Sequence, residues 1–192
     1  MKIIAILAMG AVAAWAGDLT VYVQDLSNPS AARLGRAEAL ASEIFTEASV
    51  KIDWRNGEPK RARLKREKAM VVEMVSGTPA NKMPGALAYA LPYEGMHVTV
   101  FYDRVQQAAE FELSPNDLLA HVLVHEITHL LEGITRHSKT GIMKPHWTIE
   151  DVRGMRHRPL GFTEEDEELI RLGLARRDAG EALLAAGPAG DY

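Results

Sequence analysis

Val122-Leu123-Val124-His125-Glu126-Ile127-Thr128-His129-Leu130-Leu131 is an apolar run whose only ionisable side chains are His125, Glu126 and His129. Apolar residues at 118, 119, 122, 123, 127, 130 and 131 recur at helical spacing, over a stripe wide enough for a buried helix. Ser114 suits the N-cap, Pro115 the first helical position, Asp117 the N3 position, and Gly133 the residue that ends the helix. Bare ionisable groups on such a helix would cost several kcal/mol in desolvation. Two core histidines satisfied by hydrogen bonds are one answer to that cost. Metal ligation is the stronger one, because residues four apart on a helix lie one above the other, separated by about 6 Å of axis. His125 and His129 can therefore converge on one zinc ion. Glu126 points to the side, where it can take a proton from an activated water and pass it to a leaving amine.

A catalytic zinc needs a third protein ligand and one open position. Gly133 lets the chain reverse, and four further residues bridge back to His137, the first choice. His121 is excluded from the set, since histidines at i, i+4 and i+8 span about 12 Å of axis. It reads as a packed histidine. Glu150, Asp151 and His146 remain rival ligands, and His146 is also the fourth donor that a closed, structural zinc site would need. His97 and His157 read as surface or structural groups, and Trp147 as a buried aromatic.

The order His125-Glu126-x-x-His129, Gly133, His137, then Ser138-Lys-Thr-Gly-Ile-Met143 resembles the metzincin branch of the zincin metalloproteases, in a compact bacterial form. Those enzymes carry HExxH, a glycine, a third histidine, and a tight turn with a buried methionine under the zinc. The resemblance covers about residues 24–177. It implies zinc held by His125, His129 and His137, Glu126 as general base, and Met143 as support. It also implies an edge strand, here Gly85 to Ala90, on which an extended peptide or protein substrate is laid. The spacing differs from the family's usual one. Glycine and third histidine follow the second histidine by four and eight residues here, instead of three and six, so the helix or its exit loop must absorb two extra residues.

Working outward, Leu19–Val23 and Val50–Trp54 read as strands flanking a helix that Ser30 would cap, a βαβ opening. A basic run from Lys60 to Lys68 reads as a solvated connection. Ala69–Val75 is a further strand. Ala86–Leu91 and Val98–Tyr102 form a pair of neighbouring strands across the Pro92–Gly95 turn. Residues 134 to about 161 read as irregular, with a last helix from Thr163 and Glu164, Glu165 and Asp166 in its first turn. Tyr93 and Tyr102 are candidate oxyanion helpers. The fold expected is α+β and zincin-like: a twisted mixed sheet of four to five strands, a buried helix bearing the site, and a C-terminal helix.

At the N-terminus, Met1-Lys2, an apolar run over 3–14 and Ala14-Trp15-Ala16 have the layout of a secretory signal peptide. The domain then spans 17–177, followed by a tail from 178 to 192. The apolar run is shorter than the roughly 20 residues a spanning helix needs, so no stable membrane association is expected after cleavage. The reading is a secreted or periplasmic protein. Exported chains often carry disulfides, but this one has no cysteine among its 192 residues, so packing and metal must supply stability. A net charge of −4 argues against a nucleic-acid partner.

Overall fold

The computed structural model describes residues 17–27, 31–60, 69–77, 79, 81, 83–93, 96–109 and 114–185, with side chains to 179. The leader, Ser30, most of the basic run, Gly95 and the end of the tail lie outside the described residues. No helix among the described residues is long and apolar enough to cross a membrane.

β1 (Gly17–Asp25) and β2 (Val50–Asn56) are parallel, with Val21 opposite Trp54. Parallel neighbours need a crossover, and α1 (Ala31–Glu47) supplies it, burying Leu34, Ala37, Ala41, Ile44 and Phe45. β3 (Met70–Val75) adds to the other side of β1, and β5 (His97–Phe101) runs parallel to β3. β4 (Ala88–Ala90) closes the sheet as an antiparallel edge strand on β5. The order is β2-β1-β3-β5-β4, a five-stranded mixed sheet as expected. Alternation along the strands sends Val21, Val23, Met70, Val72, Met74, Val98 and Val100 into the main core. Tyr22 and Val71 face the other way, into a small cluster with Ala69 and Met96.

Against the main core lies α3 (Pro115–Glu132), packed on α1, β4, β5, α2 (Tyr102–Ala109) and α5 (Glu164–Ala185). Its caps are the expected ones: Ser114 accepts from the Asn116 N–H, Pro115 opens the first turn, and Gly133 ends it with φ 71°. A left-handed residue at this point suits glycine, which has no Cβ to clash.

Three elements differ from the sequence reading. Tyr102 begins α2 and does not extend β5, because β5 stops at Phe101 and α2 turns Tyr102, Val105 and Ala109 onto the core. The 134–161 stretch contains a short helix, α4 (Ile149–Gly154), held by a capping box between Thr148 and Asp151. The last helix continues to Ala185, past Asp178, since Glu181-Ala-Leu-Leu-Ala185 is made of good helix formers.

α5 meets α3 at Gly173. A Cβ built there would lie 1.8 Å from the Leu131 carbonyl oxygen, so only glycine permits the approach. Two arginines then finish the contact: Arg176 donates to the Glu132 carbonyl at 3.1 Å and Arg177 to that of Leu130 at 3.1 Å. These are among the last carbonyls of α3, which have no partner inside their own helix. Gly173→Ala is therefore expected to destabilise the protein by about 1–3 kcal/mol, read as a lower urea midpoint at unchanged slope.

Candidate metal centre

Three imidazoles meet where α3 ends. His125 and His129 project from one face of the helix, and His137 returns to them from the loop after Gly133. The Nε2 atoms of His125 and His129 are 3.2 Å apart, and those of His129 and His137 are 3.3 Å apart. The rings of His125 and His129 stand nearly perpendicular, with their centroids 4.8 Å apart. All three donor atoms lie within 4.8 Å of one another. His129 is buried, His125 half-buried and His137 exposed, so the cluster opens to solvent on the loop side.

The far sides of the rings decide what the near sides present. His125 Nδ1 lies 2.9 Å from the Ile142 carbonyl, and His129 Nδ1 lies 3.2 Å from that of Ile134. A carbonyl can only accept, so each Nδ1 carries the proton and each Nε2 carries a lone pair. Two lone pairs facing each other at 3.2 Å repel, and a cation between them turns repulsion into ligation. Backbone carbonyls that fix the tautomer in this way are a usual support for ligating histidines. Burial pushes the pKa of both His125 and His129 down to about 4. Neighbouring histidine charge adds to the lowering, from His137 at His125 and from both His125 and His137 at His129. Both rings are thus neutral at physiological pH, as ligands must be. The donor set fits a zinc ion.

Glu126 stands beside the pair, half-buried, and burial raises its carboxyl to about pKa 7. The Ala90 backbone N–H, at the end of edge strand β4, bonds this carboxylate and pulls the other way. Trp147 donates through Nε1 to the same Ile142 carbonyl, at 3.1 Å, and sets its ring edge-on to His125 with centroids 5.7 Å apart. Its half-buried ring thus braces a candidate ligand, a role that the sequence alone did not reveal.

The other candidates lie elsewhere. His146 is exposed and outside the cluster of three, although its charge disfavours protonation of His137. Glu150 is exposed on α4. Asp151 is engaged by Lys144 and by the Thr148 backbone and hydroxyl. His121 is fully buried: Nδ1 donates to the Asp117 carbonyl at 2.7 Å, and Nε2 accepts from the Leu160 N–H at 3.1 Å. It pins the 160s loop against α3. Tyr102 is buried in the core, Tyr93 is 85% exposed, and His97 and His157 are exposed. Met143 is fully buried, and its carbonyl accepts from the Ser138 N–H at 2.8 Å. Gly141 allows that turn, with φ 75° and no room for a Cβ, which would sit 2.6 Å from the Gly161 carbonyl oxygen.

No family model matches the chain, and no curated protein matches it by sequence. Solved structures do match its fold. Archaemetzincin from Methanopyrus kandleri superposes with a TM-score of 0.56 at 16% identity, over 83% of this chain and 97% of that one. A zinc-dependent peptidase from Methanocorpusculum labreanum gives 0.52 at 12% identity, over 79% and 99%. The fold is archaemetzincin-like. The expected zincin-like architecture is thereby established, with a sheet, a buried helix bearing the histidine pair, and a closing helix. At such low identity the likeness concerns the fold, so the chemistry must come from the side chains.

One turn beyond His129, Glu132 is 1% exposed, and neither carboxylate oxygen has a hydrogen-bond partner. Burial raises its pKa to about 7; Arg136 opposes the shift, and Asp166 and Glu165 reinforce it. Between pH 4.5 and 7 the folded chain holds a proton here that the unfolded chain has lost, so this group's contribution falls as pH rises through that window. His125 and His129 act with the opposite sign. Between about pH 4 and 6.5 the unfolded chain binds protons that the folded chain refuses, so their contribution falls as pH drops. In the metal-free protein, Glu132→Gln is expected to be more stable than the parent at pH 8 by about 1–3 kcal/mol. The gap should close by pH 4.5, as followed by urea unfolding across the pH range.

Proposed function

We propose that this chain is a zinc-dependent metallopeptidase, exported from the cell, that hydrolyses peptide bonds in an extended peptide or protein substrate. The single observation that carries the reading is the convergence of His125, His129 and His137 beside the raised carboxyl of Glu126. The archaemetzincin-like fold supports it, since one of the matched structures is described as a zinc-dependent peptidase. Export is supported by the signal-peptide layout of residues 1–16, and it makes the enzyme secreted or periplasmic.

His125, His129 and His137 would hold the zinc. When bound, zinc polarises the scissile carbonyl and makes a water acidic enough to attack near neutral pH. Glu126 then serves as general base. Its half-buried carboxylate, beside the histidine pair, can take the water's proton and later release it to the leaving amine nitrogen. Met143, fully buried in the loop after His137, supports the ligand loop from below, as the metzincin resemblance implies. A closed structural site would need a fourth donor, and His146, the candidate, stands outside the cluster. Three ligands with an exposed side leave the open position that catalysis requires.

β4 suggests how substrate is held. Phe101 N–H donates to the Leu87 carbonyl and Leu91 N–H to that of His97, so residues 87, 89 and 91 face β5. Ala88 turns its N–H and C=O outward, as Ala90 does its C=O, and an extended peptide can pair with these three groups, the Ala90 N–H being taken by Glu126. Their methyl side chains let another backbone approach closely. The Ala90 N–H touches Glu126, which places the end of such a peptide beside the general base.

Glu126→Gln tests the assignment. It is expected to bind one zinc per chain, as the parent does, while peptide turnover falls by about 10²–10⁴-fold. Undiminished cleavage by this variant would remove Glu126 from the mechanism. The exported protein is expected to begin near Gly17 on N-terminal sequencing; a chain that keeps residues 1–16 would contradict export with cleavage.

A further inference from the structure

The loop bearing His137 is tied on both sides to one buried carboxylate, which belongs to another element. Asp166, in the first turn of α5, has no exposed surface. Its Oδ1 accepts from Arg136 at 2.7 Å and from the Ser138 hydroxyl at 2.5 Å, the residues immediately before and after His137. Arg136 also donates to Ser138 Oγ at 3.0 Å, which closes a triangle around the ligand's backbone. The second oxygen, Oδ2, accepts from the Thr163 N–H at 2.9 Å and its hydroxyl at 2.7 Å. Asp166 N–H returns a bond to Thr163 Oγ1 at 3.2 Å. One oxygen therefore holds the histidine loop, and the other holds the start of a helix. α5 is in turn locked on α3 by the close approach at Gly173 and by Arg176 and Arg177.

The arrangement answers a problem specific to this chain. His125 and His129 are placed by helix geometry, but His137 lies on an exposed loop with no regular secondary structure. The exit from α3 is longer than in the enzymes the motif resembles, and a longer loop leaves a ligand freer to wander. An exposed ion pair would restrain it little, because solvent screens such pairs. A fully buried carboxylate with charged and hydroxyl donors is different, since releasing either partner strands a charge away from water.

We infer that Asp166 is a positioning residue for the metal site, a clamp on the C-terminal helix that holds His137 within reach of the ion. The inference rests on the proposed zinc site. It adds that the third ligand's position is set by α5, more than 25 residues downstream, together with the bonds inside its own loop.

Cobalt(II) titration followed by its visible absorption tests this without relying on activity. The full chain would be compared with Asp166→Asn, His137→Ala and the double variant, each checked for folding by circular dichroism. Asp166→Asn is expected to bind cobalt about tenfold more weakly, with altered d–d bands as the third nitrogen is partly lost. In the His137→Ala background the same change should cost no further affinity, because the clamp then has no ligand to hold. Ser138→Ala removes one donor and leaves the carboxylate in place. It should weaken binding in the same direction and can replace Asp166→Asn in the cycle if that variant does not fold. Unchanged cobalt affinity in the folded variants would overturn the clamp, and so would a loss that adds in full to that of His137→Ala. A parent chain that binds no cobalt would instead overturn the zinc site itself.

Discussion

Two imidazole lone pairs, those of His125 and His129, face each other at 3.2 Å, with a third ring nitrogen 3.3 Å from the second. Left to themselves they repel, and the surrounding protein is built so that they cannot turn away. Carbonyls of Ile142 and Ile134 fix the ring tautomers from behind, and Trp147 braces His125. Burial keeps both rings unprotonated well below neutral pH. The rest of the molecule can be understood as the means of maintaining this unfavourable local arrangement until a cation relieves it.

That maintenance is divided between the two ends of the chain. The parallel strands and α1 provide a core against which α3 is buried along most of its length, so the helical pair is held rigidly. The C-terminal half holds the loops. His121 fastens the 160s loop to α3, the Gly161 carbonyl receives the Ile142 N–H, and Asp166 fixes both neighbours of His137. Glu132 adds a cost to the same region, a buried carboxyl without partners close to Arg136 and Asp166. Sites that concentrate charge in this way reduce stability locally, and tight packing elsewhere, as at Gly173, offsets it.

Much of this was legible in the residues. The apolar run around His125 announced a buried helix, the strands announced themselves by β-branched content, and Gly133 marked the helix end. The pairing of β4 with β5 followed from two short strands around a turn, and its edge position was what the metzincin resemblance implied. What was not legible has physical reasons. α4 is short and is stabilised by the Thr148–Asp151 capping box, a signal present in the sequence but overshadowed by the surrounding irregular residues. α2 was hidden because Tyr102, a good strand residue, directly follows a strand. Asp166 looked like a charge suited to a helix dipole. Its bonds to Arg136 and Ser138, 30 and 28 residues away, depend on tertiary contact that periodicity cannot reveal. Trp147 was readable as buried, but not as a brace for His125.

The central claim, that three imidazoles close on one cation and leave a side open, is tested most directly by diffraction from zinc-loaded crystals with anomalous data at the zinc edge. The account predicts a single strong peak about 2.0–2.1 Å from the Nε2 atoms of His125, His129 and His137, with its remaining position facing solvent beside Glu126. A peak elsewhere, or one whose coordination is completed by a fourth protein side chain, would contradict it.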